Sequence, residues 1–154
     1  MTFAARWSKM LIVVSVVTTG VCLVAGFAAG HVQPWLGAAV MSMPAVALLF
    51  CVRGYTLKPD LLLVKRLLWS TEIPLRGLRS ADADPTLLAG SWRTFGNGGF
   101  FSVTGWFYSR TLGRYRAFVT NRSDAVILRF VDRTVVVSPD QANTFAEQVL
   151  TSAR

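Results

Sequence analysis

The stretch MLIVVSVVTTGVCLVAGFAAGHVQPWLGAAVMSMPAVALLFCV, residues 10–52, decides how the rest of this chain is organised. It contains no Asp, Glu, Lys or Arg, and one histidine, His31. A helix rises about 1.5 Å per residue, so crossing about 30 Å of hydrocarbon takes about twenty residues. Residues 10–30 meet that length and residues 35–52 lie at its short end, which predicts a two-helix transmembrane hairpin. His31-Val-Gln-Pro34 is the polar turn between them; Pro34 suits a first helical turn and Trp35 an interfacial position. Two buried helices of a water-soluble core would need a charged face somewhere, and neither span has one. A cleavable leader is the competing reading, since Arg6 and Lys9 form a basic flank and Gly26-Phe27-Ala28 offers small residues. The apolar run outlasts an ordinary leader core, however, and a second span follows at once.

Orientation follows from the flanks. Arg6 and Lys9 precede the first span, Arg53, Lys58, Lys65 and Arg66 follow the second, and the turn carries neither Lys nor Arg. The excess of basic residues on the cytoplasmic side predicts a multi-pass plasma-membrane protein with both termini cytoplasmic. The expected divisions are a cytoplasmic N-terminus at 1–9, the hairpin at 10–52 and a cytoplasmic domain at 53–154. Gly26 and Gly30, with Gly20 upstream, face Gly37, Ala38 and Ala39. Small residues let helices approach closely in lipid, so the spans are expected to pack on each other, with dimerisation as the alternative. Pro44 predicts a kink. With no acid or base in either span, an ion or proton route is not expected. Cys22 and Cys51 both lie in the spans and are expected to be small apolar fillers.

Outward from the hairpin the composition changes. All eight acidic residues and all but two of the sixteen Lys and Arg lie beyond Val52, and the chain carries a net charge of +8. A basic domain held beside a bilayer suits the anionic membrane face. Its arginines are dispersed rather than clustered, so nucleic acid is not an expected partner. About a hundred residues suffice for one modest core.

That core is expected to be mostly β. Tyr55-Thr-Leu57, residues 61–66, 72–75 and 78–83 alternate with turn signals at Lys58-Pro-Asp60 and Asp84-Pro85. Residues 114–120 and 125–131 flank Asn121-Arg-Ser-Asp124, which predicts a hairpin; a second turns at Asp132-Arg133 into residues 134–137. Ser138, Pro139 and Gln141 have the spacing of a helix start. Ala142, Phe145, Ala146, Val149 and Leu150 then form an apolar stripe. The fold class is α+β, with six or seven strands closed by one C-terminal amphipathic helix.

Particular residues add to this: Tyr55-Thr-Leu57 with Asp60-Leu61; Ile73-Pro74-Leu75 running into Leu78; Arg93-Thr-Phe-Gly96-Asn-Gly98-Gly99-Phe100; Gly105; Leu112-Gly113-Arg114-Tyr115; and Val137-Ser138-Pro139-Asp140 before Phe145. Their order resembles the pleckstrin-homology-like (PH) domains of bacterial membrane proteins, over residues 53 to about 152. The resemblance implies a seven-stranded β-barrel or sandwich, capped by a helix and placed behind transmembrane helices, with no enzymatic signature. Eukaryotic members of the wider fold bind phosphoinositides through basic residues near the first hairpin. Here the Lys58-Pro-Asp60 turn sets one cation beside one anion, so that activity is not carried over.

The stretch from Arg93 to Tyr115 is the candidate functional segment. It mixes Phe95, Phe100, Phe101, Trp106, Phe107 and Tyr108 with five glycines, bordered by Arg93, Arg110 and Arg114. A bulged or twisted strand pair would turn Phe101, Val103, Gly105 and Phe107 inward and Phe100, Thr104, Trp106 and Tyr108 outward. The expected interaction surface is therefore Arg93, Phe100, Trp106, Tyr108, Arg110 and Arg114, an aromatic patch rimmed by cations. Gly96-Asn-Gly98-Gly99 lacks the Lys-Ser/Thr of a phosphate loop. His31 falls across the membrane from the domain, so no Ser-His or Cys-His pair forms there, and two cysteines with one histidine make no zinc site. Asp82 and Asp84 suit a solvated loop better than an acid/base pair. No catalytic residue, cofactor or metal is expected. The partners expected are the bilayer itself and a protein partner or a second copy of the chain. A lipid-headgroup or small-ligand sensor, binding in or beside the barrel, is the alternative.

Overall fold

The computed structural model describes residues 1–98 and 100–153. Helix α1 (Lys9–Val32) begins at Ser8, whose hydroxyl accepts the Leu11 N–H at 3.1 Å. Helix α2 (Pro34–Leu49) starts on Pro34 as expected, and Gln33 alone breaks the pair. The helices cross where glycines let backbones touch: a Cβ added to Gly37 would stand 2.5 Å from the Gly30 Cα and 2.6 Å from the Gly26 carbonyl. Gly20 faces open space. The expected second span, 35–52, ends early, because Cys51 and Val52 are buried in the β domain. Hydropathy does not distinguish a residue facing lipid from one in a core. Both cysteines are free.

Two sheets follow rather than a closed barrel of seven strands. The first is antiparallel, in the order β1 (Thr2–Ala4), β2 (Gly54–Lys58), β3 (Leu61–Lys65), β4 (Ser70–Pro74). The second contains β5 (Leu78–Asp82), β6 (Trp92–Gly98), β7 (Val103–Ser109), β8 (Gly113–Val119), β9 (Val126–Phe130) and β10 (Thr134–Val137), in the order β5-β9-β10-β8-β7-β6. The strand β1 lies in residues taken from the sequence as a tail; it zips onto β2 with Phe3 opposite Tyr55. Asn121-Arg-Ser-Asp124 is not a hairpin turn. β10 inserts between β8 and β9, parallel to β8, and 121–124 becomes a crossover. The Asp132-Arg133 turn does join an antiparallel pair, β9 and β10.

The two sheets and α3 (Ala142–Ser152) enclose the main core. Phe145 and Val149 of α3 are fully buried, and Phe145 meets Phe3 edge-on at 5.1 Å between centroids. Ser138 is not the helix cap, since α3 begins four residues later without a side-chain cap. A tertiary network claims it instead. The Tyr55 hydroxyl donates to the Phe118 carbonyl at 2.5 Å and accepts the Ser138 N–H at 3.0 Å, while the Ser138 hydroxyl accepts the Thr120 N–H at 2.8 Å. Burial pushes the Tyr55 phenol up to about 12. A second small core, with Phe107, Tyr115 and Ile127, fills the other face of the larger sheet beneath Leu87 and Leu88.

Candidate functional site

β6, β7 and β8 extend past the main core as an overhang. Cross-strand partners share a face, so the register settles which side chains meet. Trp92 lies opposite Tyr108, and Tyr108 opposite Arg114; Phe95 lies opposite Trp106, and Trp106 opposite Arg116; Thr104 lies opposite Phe118. Trp92 and Tyr108 stack at 6.0 Å. The alternate residues Phe107, Tyr115 and Val119 point to the second core. Gly96 and Gly105 pair directly, with φ of 116° and 141°. A Cβ on Gly96 would stand 2.5 Å from the Thr104 carbonyl, and one on Gly105 would overlap the Phe95 carbonyl. Only glycine fits either position, and together they let β6 fold tightly over β7.

The C-terminal half of α2 runs alongside this overhang and leaves a cleft of about 600 Å³. Met43, Val46 and Ala47 form one wall; Phe95 and Trp106 form the other. Phe118, Arg66 and Arg116 lie at its polar end. Arg66 follows β3 in the smaller sheet. It donates through Nη1 to the Phe50 carbonyl at 2.9 Å and through Nε to the Thr71 hydroxyl at 3.2 Å. Burial, then the positive field of Arg116, holds its pKa below the ordinary guanidinium value. The Arg66 and Arg116 guanidiniums stand 5.4 and 4.9 Å from the Phe118 ring centroid. Among the described residues lining the cleft there is no carboxylate.

Of the residues expected from sequence, Trp106, Tyr108 and Arg114 share the outer face of the overhang. Phe100 lies in the β6–β7 turn, stacked on Phe101 at 4.6 Å, and lines the cleft. Arg93 is opposite Phe107 and so points to the other face, while Arg110 is exposed in the β7–β8 turn. Thr104, expected outward, is on the outer face but covered. Sequence reasoning missed three groups. Arg116 was legible in principle as the second alternate residue after Arg114. Arg66 comes from the other sheet and carries no local signal. The third group is the loop Leu67-Leu68-Trp69, which leaves Leu68 74% exposed beside the end of α2, with Trp69 edge-on to Phe50 at 5.2 Å.

The helix ends are tied to this domain. The Ser15 hydroxyl in α1 accepts the Phe101 N–H at 2.9 Å, and the Phe50 carbonyl also accepts from the Ser102 hydroxyl at 3.3 Å. No cluster of three or more His, Cys, Asp or Glu suited to a metal occurs among the described residues. No curated protein and no solved structure matches the chain. A family model described as the bacterial PH domain matches residues 53–153, the stretch that contains β2 to β10 and α3. On that match, which covers more than half of its length, the chain belongs to the bacterial PH domain family.

Proposed function

We propose that the chain is a non-enzymatic interaction module held at the cytoplasmic face of the plasma membrane by a transmembrane hairpin, with divisions at 1–9, 10–52 and 53–154. The observation that carries this is the outer surface of α1. Only Leu11, Ser15 and Gly26 of its 24 residues are buried, and Val13, Val16, Val24 and Phe27 are each at least 60% exposed. A core helix would be covered on that surface, and water does not tolerate an uncharged apolar band of this extent. The helix spans about 36 Å at about 1.5 Å per residue, enough for the hydrocarbon layer. α2 spans only about 24 Å by the same rise, and the exposed Leu67-Leu68-Trp69 loop at its end supplies interfacial side chains that make up the depth. Retention of α1 is supported by its bonds to the domain, since cleavage near residue 28 would remove β1 and the Ser15 contact. Pairing of β1 with β2 supports a hairpin that returns to its starting side, and the basic flanks put that side in the cytoplasm.

The function of such a module is to present the overhang of Trp92, Trp106, Tyr108 and Arg114 to a partner at the membrane surface. PH domains commonly bind lipids or proteins, which suits this assignment. The topology is tested in intact cells with the native cysteines replaced by alanine. Val32→Cys should react with a membrane-impermeant maleimide from outside, and Ser123→Cys only after lysis. The reverse pattern, or extraction of the protein by alkaline carbonate, overturns the reading. A second reading, binding of a lipid headgroup beside the sheet, is favoured by the arginine-ended cleft.

A further inference from the structure

Two cations meet at one end of the α2 cleft, and no acid is among the described residues that line it. Among the described residues the exposed Arg116 side chain makes no hydrogen bond and no ion pair, only its contact with the Phe118 ring, and Arg129–Asp82 is the one salt bridge. Arg66 directs its donors to the Thr71 hydroxyl and to the Phe50 carbonyl just beyond α2, which are neutral groups. The rest of the cleft is mostly apolar: Met43, Val46 and Ala47 of α2 and Phe50 at its end line about 10 Å of its length, with the hydroxyls of Ser42 and Thr104 as the polar exceptions. It is therefore amphipathic lengthwise, with positive charge at the domain end and hydrocarbon toward the membrane. Inorganic phosphate would satisfy the first part and leave the second bare, and a peptide would have to enter beside a helix whose outer surface is lipid-facing.

We propose that the cleft seats one anionic phospholipid, entering sideways from the adjoining leaflet, with its phosphate between Arg66 and Arg116 and an acyl chain against Met43, Val46 and Trp106. This rests on the membrane reading above and deepens its lipid-binding alternative. Each cation near an anionic surface contributes about 1 kcal/mol, a factor of about 5, and of the two it is Arg116 whose guanidinium donors have no hydrogen-bond acceptor among the described residues.

The test uses the full chain in nanodiscs, with Trp7, Trp35, Trp69 and Trp92 replaced by Phe so that Trp106 is the only tryptophan, excited selectively over the three tyrosines. Brominated phosphatidylglycerol should half-quench Trp106 at a mole fraction about 5-fold lower than brominated phosphatidylcholine. Arg116→Gln should erase that preference, and Arg79→Gln, an equal loss of charge on β5, should leave it. Equal quenching by the two lipids, or a preference unchanged in Arg116→Gln, overturns the proposal while leaving the membrane anchor intact. Quenching by neither lipid, together with an unlabelled residue 32 in cells, overturns the anchor and the cleft site with it. Should the single-tryptophan chain misfold, phosphatidylglycerol retained by the detergent-extracted wild-type chain is compared by mass with that retained by Arg116→Gln; equal retention refutes the site.

Discussion

Tyr55→Phe removes one oxygen from the centre of the domain and leaves the ring in place. The hydroxyl bridges three elements: it sits on β2, donates to the Phe118 carbonyl of β8 and accepts the Ser138 N–H just beyond β10. Phenylalanine leaves both backbone groups facing a fully buried ring. Each buried group stripped of its partner costs about 1–3 kcal/mol, while losing the hydroxyl returns part of its own desolvation. The net expectation is a loss of about 2–3 kcal/mol at neutral pH. For a domain of about a hundred residues that lowers the midpoint by about 10–20 °C. The same phenol carries a second signature. It stays protonated up to about 12, whereas an unfolded tyrosine ionises near 10. Between those values the folded protein binds the extra proton, so stability falls as pH rises through the window, by about 3 kcal/mol in all. Tyr115 is also pushed up by burial, so only the difference between the two proteins isolates Tyr55. Urea melts of the full chain in mild detergent, followed by tryptophan fluorescence from pH 7 to 12, measure it. Wild type should exceed Tyr55→Phe by about 2–3 kcal/mol up to pH 10 and lose that margin by about pH 12. A variant as stable as wild type at pH 7, or a margin that stays constant to pH 12, refutes the assigned role.

Other substitutions probe the parts that shape the cleft. Gly105→Ala should cost at least about 3 kcal/mol in the same melts, from positive-φ strain plus overlap with the Phe95 carbonyl, whereas Gly90→Ala, with φ of 68° in open space, should cost about 1. Similar losses at the two sites would show that the β6–β7 pairing is looser than described. In α2, Gly37→Leu should separate the helices and abolish disulfide crosslinking between cysteines engineered on α1 and α2, while Gly30→Ala, whose Cβ meets only the Gly37 Cα at 3.8 Å, should crosslink like wild type. Crosslinking that survives Gly37→Leu rules out this crossing point. Phe145→Ala empties the contact with Phe3 and Tyr55 and should destabilise the domain by about 3–5 kcal/mol, exposing β1 to limited proteolysis; a protease-resistant variant would show that α3 does not clamp that strand.

What could be anticipated from the residues divides along local against non-local causes. The helices α1 and α2 follow from uncharged length, and α3 from a 3.6-residue apolar stripe, because those properties belong to each segment alone. The strand β1 has three residues and a single buried side chain, Phe3, so only its partner β2 makes it a strand. β10 is a strand where the sequence places one, but its position is non-local: parallel pairing with β8 overrides the apparent hairpin at 121–124. Ser138-Pro139 has the look of a helix start, yet Tyr55 and Thr120, 83 and 18 residues away, bind it more completely than α3 could. At the site, Trp106 and Tyr108 are outward by simple alternation along β7, and Arg114 joins them through register. Arg93 falls on the other face because the register shifts between Arg93 and Phe95, an irregularity that residue alternation does not announce.

The bonds between helices and sheets limit what kind of module this is. A domain on a flexible tether samples orientations freely, and its surface needs no relation to the bilayer. Here α1 is held through Ser8 to the Thr120 carbonyl and through Ser15 to Phe101, and the end of α2 is held through Phe50 to Arg66 and Ser102. These attachments come from both helices and reach both sheets, since Arg66 follows β3 and Ser102 precedes β7. Rotation of the β domain against the helices would break bonds at separate points. The walls of the cleft, one from α2 and one from β6 and β7, are thereby tied to each other without the proposed lipid. A preformed site loses little freedom on binding. Because α2 forms one wall of the cleft and crosses α1 at Gly37, displacing α2 there should shift that wall relative to Trp106, so Gly37→Leu should change Trp106 quenching even though the two residues do not touch; quenching identical to wild type would refute the coupling.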